Sequence, residues 1–249
     1  NGEVAISANG KCSLMEAIIN ARAIRAGQLQ ADCTAGNLSG VDTVSLPSGG
    51  EFVLTAPHNT QFGPTGLPVI TTGVIINGNG ATIRRSDVSG TPKFRILAVD
   101  KDGSLTVRNT TISNGQGDYY VHGKGVLTIE NSTISSNRAD YGGGVYAKSA
   151  TITGSRILDN EARGYYGGYG GGLDVSQLTL VNSIVAGNIA WGGEEWADLG
   201  GGFGGGVNMN HGTIIGSTIS GNMATDGWDS MNYGIPVPGV GGGVWASGN

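Results

Sequence analysis

Cysteine is scarce in this chain, and that scarcity removes one class of function at the outset. Cys12 and Cys33 are the only two, beside three histidines. No CxxC or clustered His/Cys spacing occurs, so a metal centre has no ligand set. Charge is thin as well: 14 lysines and arginines, scattered, face 19 acids for a formal net charge of −5. Nucleic acid and anionic membrane surfaces require a basic patch that this chain does not have. No apolar run approaches the ~20 residues of a membrane-spanning helix. The acidic segments lack the regular Asp-Gly spacing of a calcium-binding repeat. No cofactor and no metal is expected.

Glycine, in contrast, is the commonest residue at 47. It has no collagen period, and without other pattern it would suggest disorder. From Leu127 to Asn249, however, one sentence is written four times. Each copy runs through alternating apolar residues to an Asn (Asn137, Asn160, Asn188, Asn222) and later lands on three glycines and an apolar residue. The landings are Gly142–Val145, Gly170–Leu173, Gly204–Val207 and Gly241–Val244. Three positions before the Asn stand Ile134, Ile157, Val185 and Ile219, and five before it Ser132, Ser155, Ser183 and Ser217. Ile129, Ile152, Leu180 and Ile214 stand eight before it. Val107, Thr110 and Ile112 form a weaker earlier copy.

Such a period marks a solenoid or a propeller. A propeller needs several evenly spaced antiparallel strands per repeat. Here the copies grow longer, and all the growth falls between the Asn and the triple glycine. A solenoid tolerates insertion in that way, because loops lengthen on one face while the rungs keep register. The expectation is a right-handed parallel β-helix: an all-β solenoid of one domain over residues 1–249. Its aliphatic rows would stack roughly 4.8 Å apart, and its Asn row would form an amide ladder at a turn.

Residues 13–26 read as one capping helix. Ser13 with Glu16 makes a capping box, and Leu14, Ala17, Ile18, Ala21 and Ile24 fall at helical spacing. Glu16, Arg22 and Arg25 are assigned to its solvated face. The helix covers the first rung, whose exposed rows would otherwise invite aggregation. Cys12 and Cys33 flank it, and a disulfide between them suits an oxidising compartment. Residues 41–126 fit less regular first rungs, with Asn77-Gly78-Asn79-Gly80 as a tight turn. Pro47, Pro57, Pro64 and Pro68 mark side loops. Residues 127–249 are the regular repeats.

Cys12-Ser13-Leu14-Met15-Glu16-Ala17-Ile18, with Ala31-Asp32-Cys33 after it, resembles the CSLREA-type N-terminal motif of secreted bacterial β-helix proteins. Met15 stands where that motif usually carries Arg. The rungs Ile76–Ile83 and Phe94–Leu97 resemble those that follow it. The Asn-then-triple-glycine repeats are similar to polymorphic outer-membrane protein passengers. The resemblance implies a secreted or cell-surface location and a β-helix. It leaves activity open, since the wider superfamily holds adhesins, surface proteins and polysaccharide-degrading enzymes.

The lengthening loops carry the chemistry on offer. Tyr165, Tyr166, Tyr169, Trp191, Trp196, Trp228 and Tyr233 are interleaved there with Glu194, Glu195, Asp198, Asp226 and Asp229. Aromatics beside carboxylates suit a carbohydrate, whose rings have apolar faces and hydroxyl edges. The competing reading has the same aromatics folded back over the glycine-rich loops, pinning them. As catalysts, Glu194, Glu195 or Asp198 with Asp226 or Asp229 would serve glycoside hydrolysis, which needs two carboxylates flanking the bond. A lyase would need a base, and Tyr119–Lys124 with Arg108 or Arg138 is the only basic candidate cluster. The expected partner is a polysaccharide or cell-surface glycan. The repeats run to the last residue without a closing helix, so a continuing chain or a second copy is expected on that rung. The start at Asn1 without Met reads as a processed product.

Overall fold

In a computed structural model, described at residues 2–22, 29–37, 40–117, 125–193, 200–229 and 235–248, consecutive copies run parallel and stack in register. Side chains of Trp228, Asp229 and Ile235 fall outside that description. The strands Val145–Thr153, Leu173–Val181 and Val207–Ile215 lie side by side, with Ile152 opposite Leu180 and Leu180 opposite Ile214. The short strands Thr133–Ser135, Arg156–Leu158, Ile184–Ala186 and Thr218–Ser220 form the next face. Two-residue strands from Arg138–Ala139 to Met223–Ala224 form the third. The chain is a parallel β-helix, wound around one continuous aliphatic core. The only antiparallel strands among the described residues are Gly227–Asp229 and Ile235–Val237, in the longest loop.

Each of the four regular repeats turns three corners, and at each the backbone enters the left-handed region. Asn109, Asn131, Gly154, Asn182 and Gly216 make the first corner, at φ between 47° and 58°. Asn and Gly tolerate this conformation best. Directly after it comes the Ser row. Its hydroxyls accept from the backbone N–H of the preceding rung, Thr110 to Ser132, Ser132 to Ser155, Ser155 to Ser183 and Ser183 to Ser217, each at 3.1 Å. The second corner is the Asn row, and the expected amide ladder is there. Asn137 Nδ2 donates to Asn160 Oδ1 at 3.1 Å, Asn160 to Asn188 at 2.9 Å, and Asn188 to Asn222 at 2.8 Å. Each Oδ1 also accepts a backbone N–H, and each Nδ2 also reaches a backbone carbonyl. Polar groups buried at 0 % exposure, as Asn160 and Asn188 are, are thereby fully employed.

The third corner explains the triple glycine residue by residue. The first glycine is left-handed, at φ 55° to 66°. A Cβ on the second would strike the backbone of the next rung, as Gly171 shows against Gly205 and Ile189. One on the third would press on the Asn ladder, 3.0 Å from Asn160 at Gly144.

The N-terminal helix forms, but over Leu14–Ala21, with Arg22 as its C-cap. Expected residues Ile24, Arg25 and Ala26 lie outside the described ones. Glu16 is not a solvated residue: it is 3 % exposed. Its carboxylate accepts the N–H groups of Ser13 at 2.8 Å and Ser7 at 3.1 Å, so a cap position has become an interior tether. The Ser13 N–H in particular holds its carboxyl below the usual glutamate range. Arg22, too, is partly buried, with an unpartnered Nε. Cys12 and Cys33 are joined. The proline-rich stretch differs from the expected side loop along part of its length. Leu67, Val69 and Ile70 are buried, and Thr65 and Ile70 pair with Arg95 and Val99 of the next rung. Asn77–Gly80 is the first corner of its own rung, inside the strand Gly73–Arg85.

Candidate functional site

The aromatics of residues 127–249 all fall between an Asn of one copy and the second residue past the triple glycine. The β-helix gathers that part of every copy onto a single edge. The other outer faces carry no aromatic in these copies: one row is Thr106, Thr128, Thr151, Thr179 and Thr213, and its neighbour is Arg108, Glu130, Thr153, Val181 and Ile215.

At the centre of this edge the residues preceding each triple glycine stack: Tyr141 on Tyr169 at 5.5 Å and Tyr169 on Phe203 at 4.9 Å between ring centroids. Their backbones pair in parallel, with Val240 completing the row. A ring with neighbours on both faces offers solvent its edge, so Tyr169 packs along the coil. Burial, and secondarily the Asp174 charge, push the Tyr169 phenol above the usual tyrosine value. Tyr165 and Tyr166 differ. They form an edge-to-face pair at 5.0 Å and remain 54 % and 52 % exposed, leaving ring surface open. Trp191 lies under the Arg163 guanidinium, 4.9 Å from its ring centroid, a cation–π contact.

Of the five carboxylates considered for catalysis, Glu194, Glu195 and Asp198 lie outside the described residues, and so do Trp196 and Tyr233. Asp229 and Trp228 are placed by backbone alone, on the strand Gly227–Asp229. Asp226 accepts the Gly239 N–H at 3.0 Å, a bond that ties its own loop together. The basic candidates divide as well. Tyr119–Lys124 are outside the description, and Arg108 is paired with Glu130 at 2.7 Å. Arg138 is exposed on its two-residue strand. Among the described residues, no group of three or more His, Cys, Asp or Glu is placed to hold a metal ion.

A second row beside the aromatic one escaped the reading of the sequence. Tyr146, Asp174, Asn208 and Trp245 stand opposite one another in successive rungs. Phe203 reaches Trp245 at 5.1 Å, and Tyr141 reaches Tyr146 at 6.3 Å, so the two rows touch around the glycine corner. The signal was available: each of these residues is the second after its triple glycine.

A family model described as right handed beta helix region matches residues 72–249 of the chain. No curated protein and no solved structure matches it.

Proposed function

This chain belongs to the right-handed β-helix family, and from that premise we propose that it is a secreted or cell-surface scaffold that binds a glycan along its loop edge. The observation that carries this reading is the segregation of the aromatics of residues 127–249 to one edge of the coil. Packing alone does not account for Tyr165 and Tyr166, which keep more than half their surface in solvent. Large apolar side chains grouped on an exposed edge mark an interaction surface. Aromatic rings with nearby acceptors match the apolar faces and hydroxyls of sugars. The Cys12–Cys33 disulfide supports the extracellular address, as does the CSLREA-type motif.

The proposal is tested by affinity electrophoresis through a panel of neutral and uronic-acid polysaccharides. Retardation by at least one glycan, relieved in the double variant Tyr165→Ala/Tyr166→Ala, is the expected result. Unchanged mobility on every glycan would remove the reading. Release of reducing ends or unsaturated products in the same incubations would replace a scaffold with a carbohydrate-active enzyme.

A second contact is proposed at the rung of Ile214 and Ile219. Both are partly exposed, whereas Leu180 and Val185 in the rung before are at 0 %. A neighbouring polypeptide, either further rungs or a second molecule, would cover them. Sedimentation velocity and hydrogen exchange at this rung test it, and a monomer with fast exchange there is the adverse outcome.

A further inference from the structure

We propose that the outer row Tyr146–Asp174–Asn208–Trp245 is a sugar subsite with Asp174 and Asn208 as its floor, and that it takes hydroxyl-rich neutral sugars. The proposal rests on the glycan reading of the loop edge and narrows it to particular residues and one ligand chemistry.

The row places a large ring at each end and two short polar side chains between them. Its ends are three rungs apart, roughly 14 Å at the spacing of neighbouring strands, room for one or two pyranose rings. Tyr169 and Phe203 form the side wall. Leu173 and Val175, on either side of Asp174, are buried in the core, so Asp174 faces outward.

Asn208 is 8 % exposed, and its Nδ2 donates to Asp174 Oδ1 at 2.8 Å. That bond orients the amide, and the other end, Oδ1, has no hydrogen-bond partner. A buried acceptor left without a donor is unfavourable and calls for an explanation. Trp245 supplies one. It is the neighbour of Asn208 in the row and lies against Phe203 with rings tilted by 59°. In the proposed bound state Trp245 gives way to the sugar, and the Asn208 carbonyl accepts a sugar hydroxyl beside the Asp174 carboxylate.

The chemistry of this floor is one-sided. Asn208 Oδ1 accepts only, and a carboxylate accepts several hydrogen bonds at once. The complementary ligand brings donors, such as adjacent hydroxyls of a pyranose, and an apolar ring face for Trp245 or Phe203. A uronate brings an acceptor of like charge.

Calorimetric titration of the whole chain with neutral oligosaccharides and with oligogalacturonate tests the proposal. Asn208→Leu, close in size to the native side chain, and Trp245→Phe are the variants, each checked for fold by circular dichroism. The expected result is saturable binding of a neutral oligosaccharide, at least tenfold weaker in either variant, with the Trp fluorescence change of the native chain lost in Trp245→Phe. Should Asn208→Leu not fold, Trp245→Phe decides by the same criterion. Unchanged affinity in the folded variants overturns the subsite and leaves glycan binding elsewhere on the edge intact. Preference for oligogalacturonate overturns the assigned chemistry. No binding of any sugar overturns the subsite and the broader reading together.

Discussion

The Asn corner and the loop edge are parts of the same repeats, yet they answer opposite requirements. At the corner every copy is held to the next by amides that leave no room for change. Along the edge the copies lengthen, and side chains of different size stand in one row. The corner is closed to water, so each of its polar groups must find a partner within the chain, and only Asn offers donor and acceptor at the right reach. The edge faces water, which satisfies whatever the loop leaves unpaired, and insertions there cost little. Rigidity on one side of the coil is what allows the other side to vary.

The comparison breaks most visibly at Asn160. Asn160→Ala leaves the Asn137 N–H and Nδ2, the Ile134 carbonyl and the Asn188 amide short of partners. Urea unfolding should show a loss of about 3 to 5 kcal/mol, since each stranded buried group costs about 1 to 3 kcal/mol. A loss below about 1 kcal/mol would mean that water replaces the amide and that the corner is not closed. Gly171→Ala comes next, at about 2 to 3 kcal/mol in the same assay, because its Cβ has no space against the Gly205 and Ile189 backbone. It sharpens the contrast: the glycine corner is as fixed as the Asn corner, through sterics instead of hydrogen bonds.

A smaller effect belongs to pH. The Tyr169 phenol holds its proton more tightly in the folded chain than unfolded, through burial first and the Asp174 charge second. Its stabilising contribution is therefore complete below the usual tyrosine value of about 10 and is lost as pH rises through its higher folded value. Tyr169→Phe should flatten that alkaline decline in thermal melts, and an unchanged slope would place the decline elsewhere. The smallest change in stability is expected from Tyr165→Ala/Tyr166→Ala, within about 0.5 kcal/mol, although the same variant should abolish retention by glycan. A large destabilisation would turn those tyrosines from a contact surface into packing.

Much of the coil could be read from offsets alone. Ser132, Asn137 and Ile134 recur at fixed distances in each copy, and residues at one offset must share a row once the rungs stack. The same logic extends to Phe203 and Trp245, which stand at fixed offsets from the triple glycine. Glu16 departs from its expected solvated position for a different reason. Helical spacing places it away from the apolar stripe, and nothing local announces that Ser7 folds back over it. Leu67 and Ile70 were hidden by the prolines around them, which suggested a loop although the chain there runs through the core.

The sequence by itself determined the pitch of this protein, because backbone hydrogen bonding imposes one spacing on all stacked strands and the repeat needs only to declare its phase. It also determined which residues face inward, since alternation along a strand admits two sides. What the tertiary structure alone decided is adjacency around the corners: that Phe203 touches Trp245 from the following copy, and that Asn208 lies between Asp174 and Trp245 with one oxygen unanswered. Those contacts depend on how tightly three glycines bend the chain and on which way a ring leans, and neither is set by distance along the polypeptide.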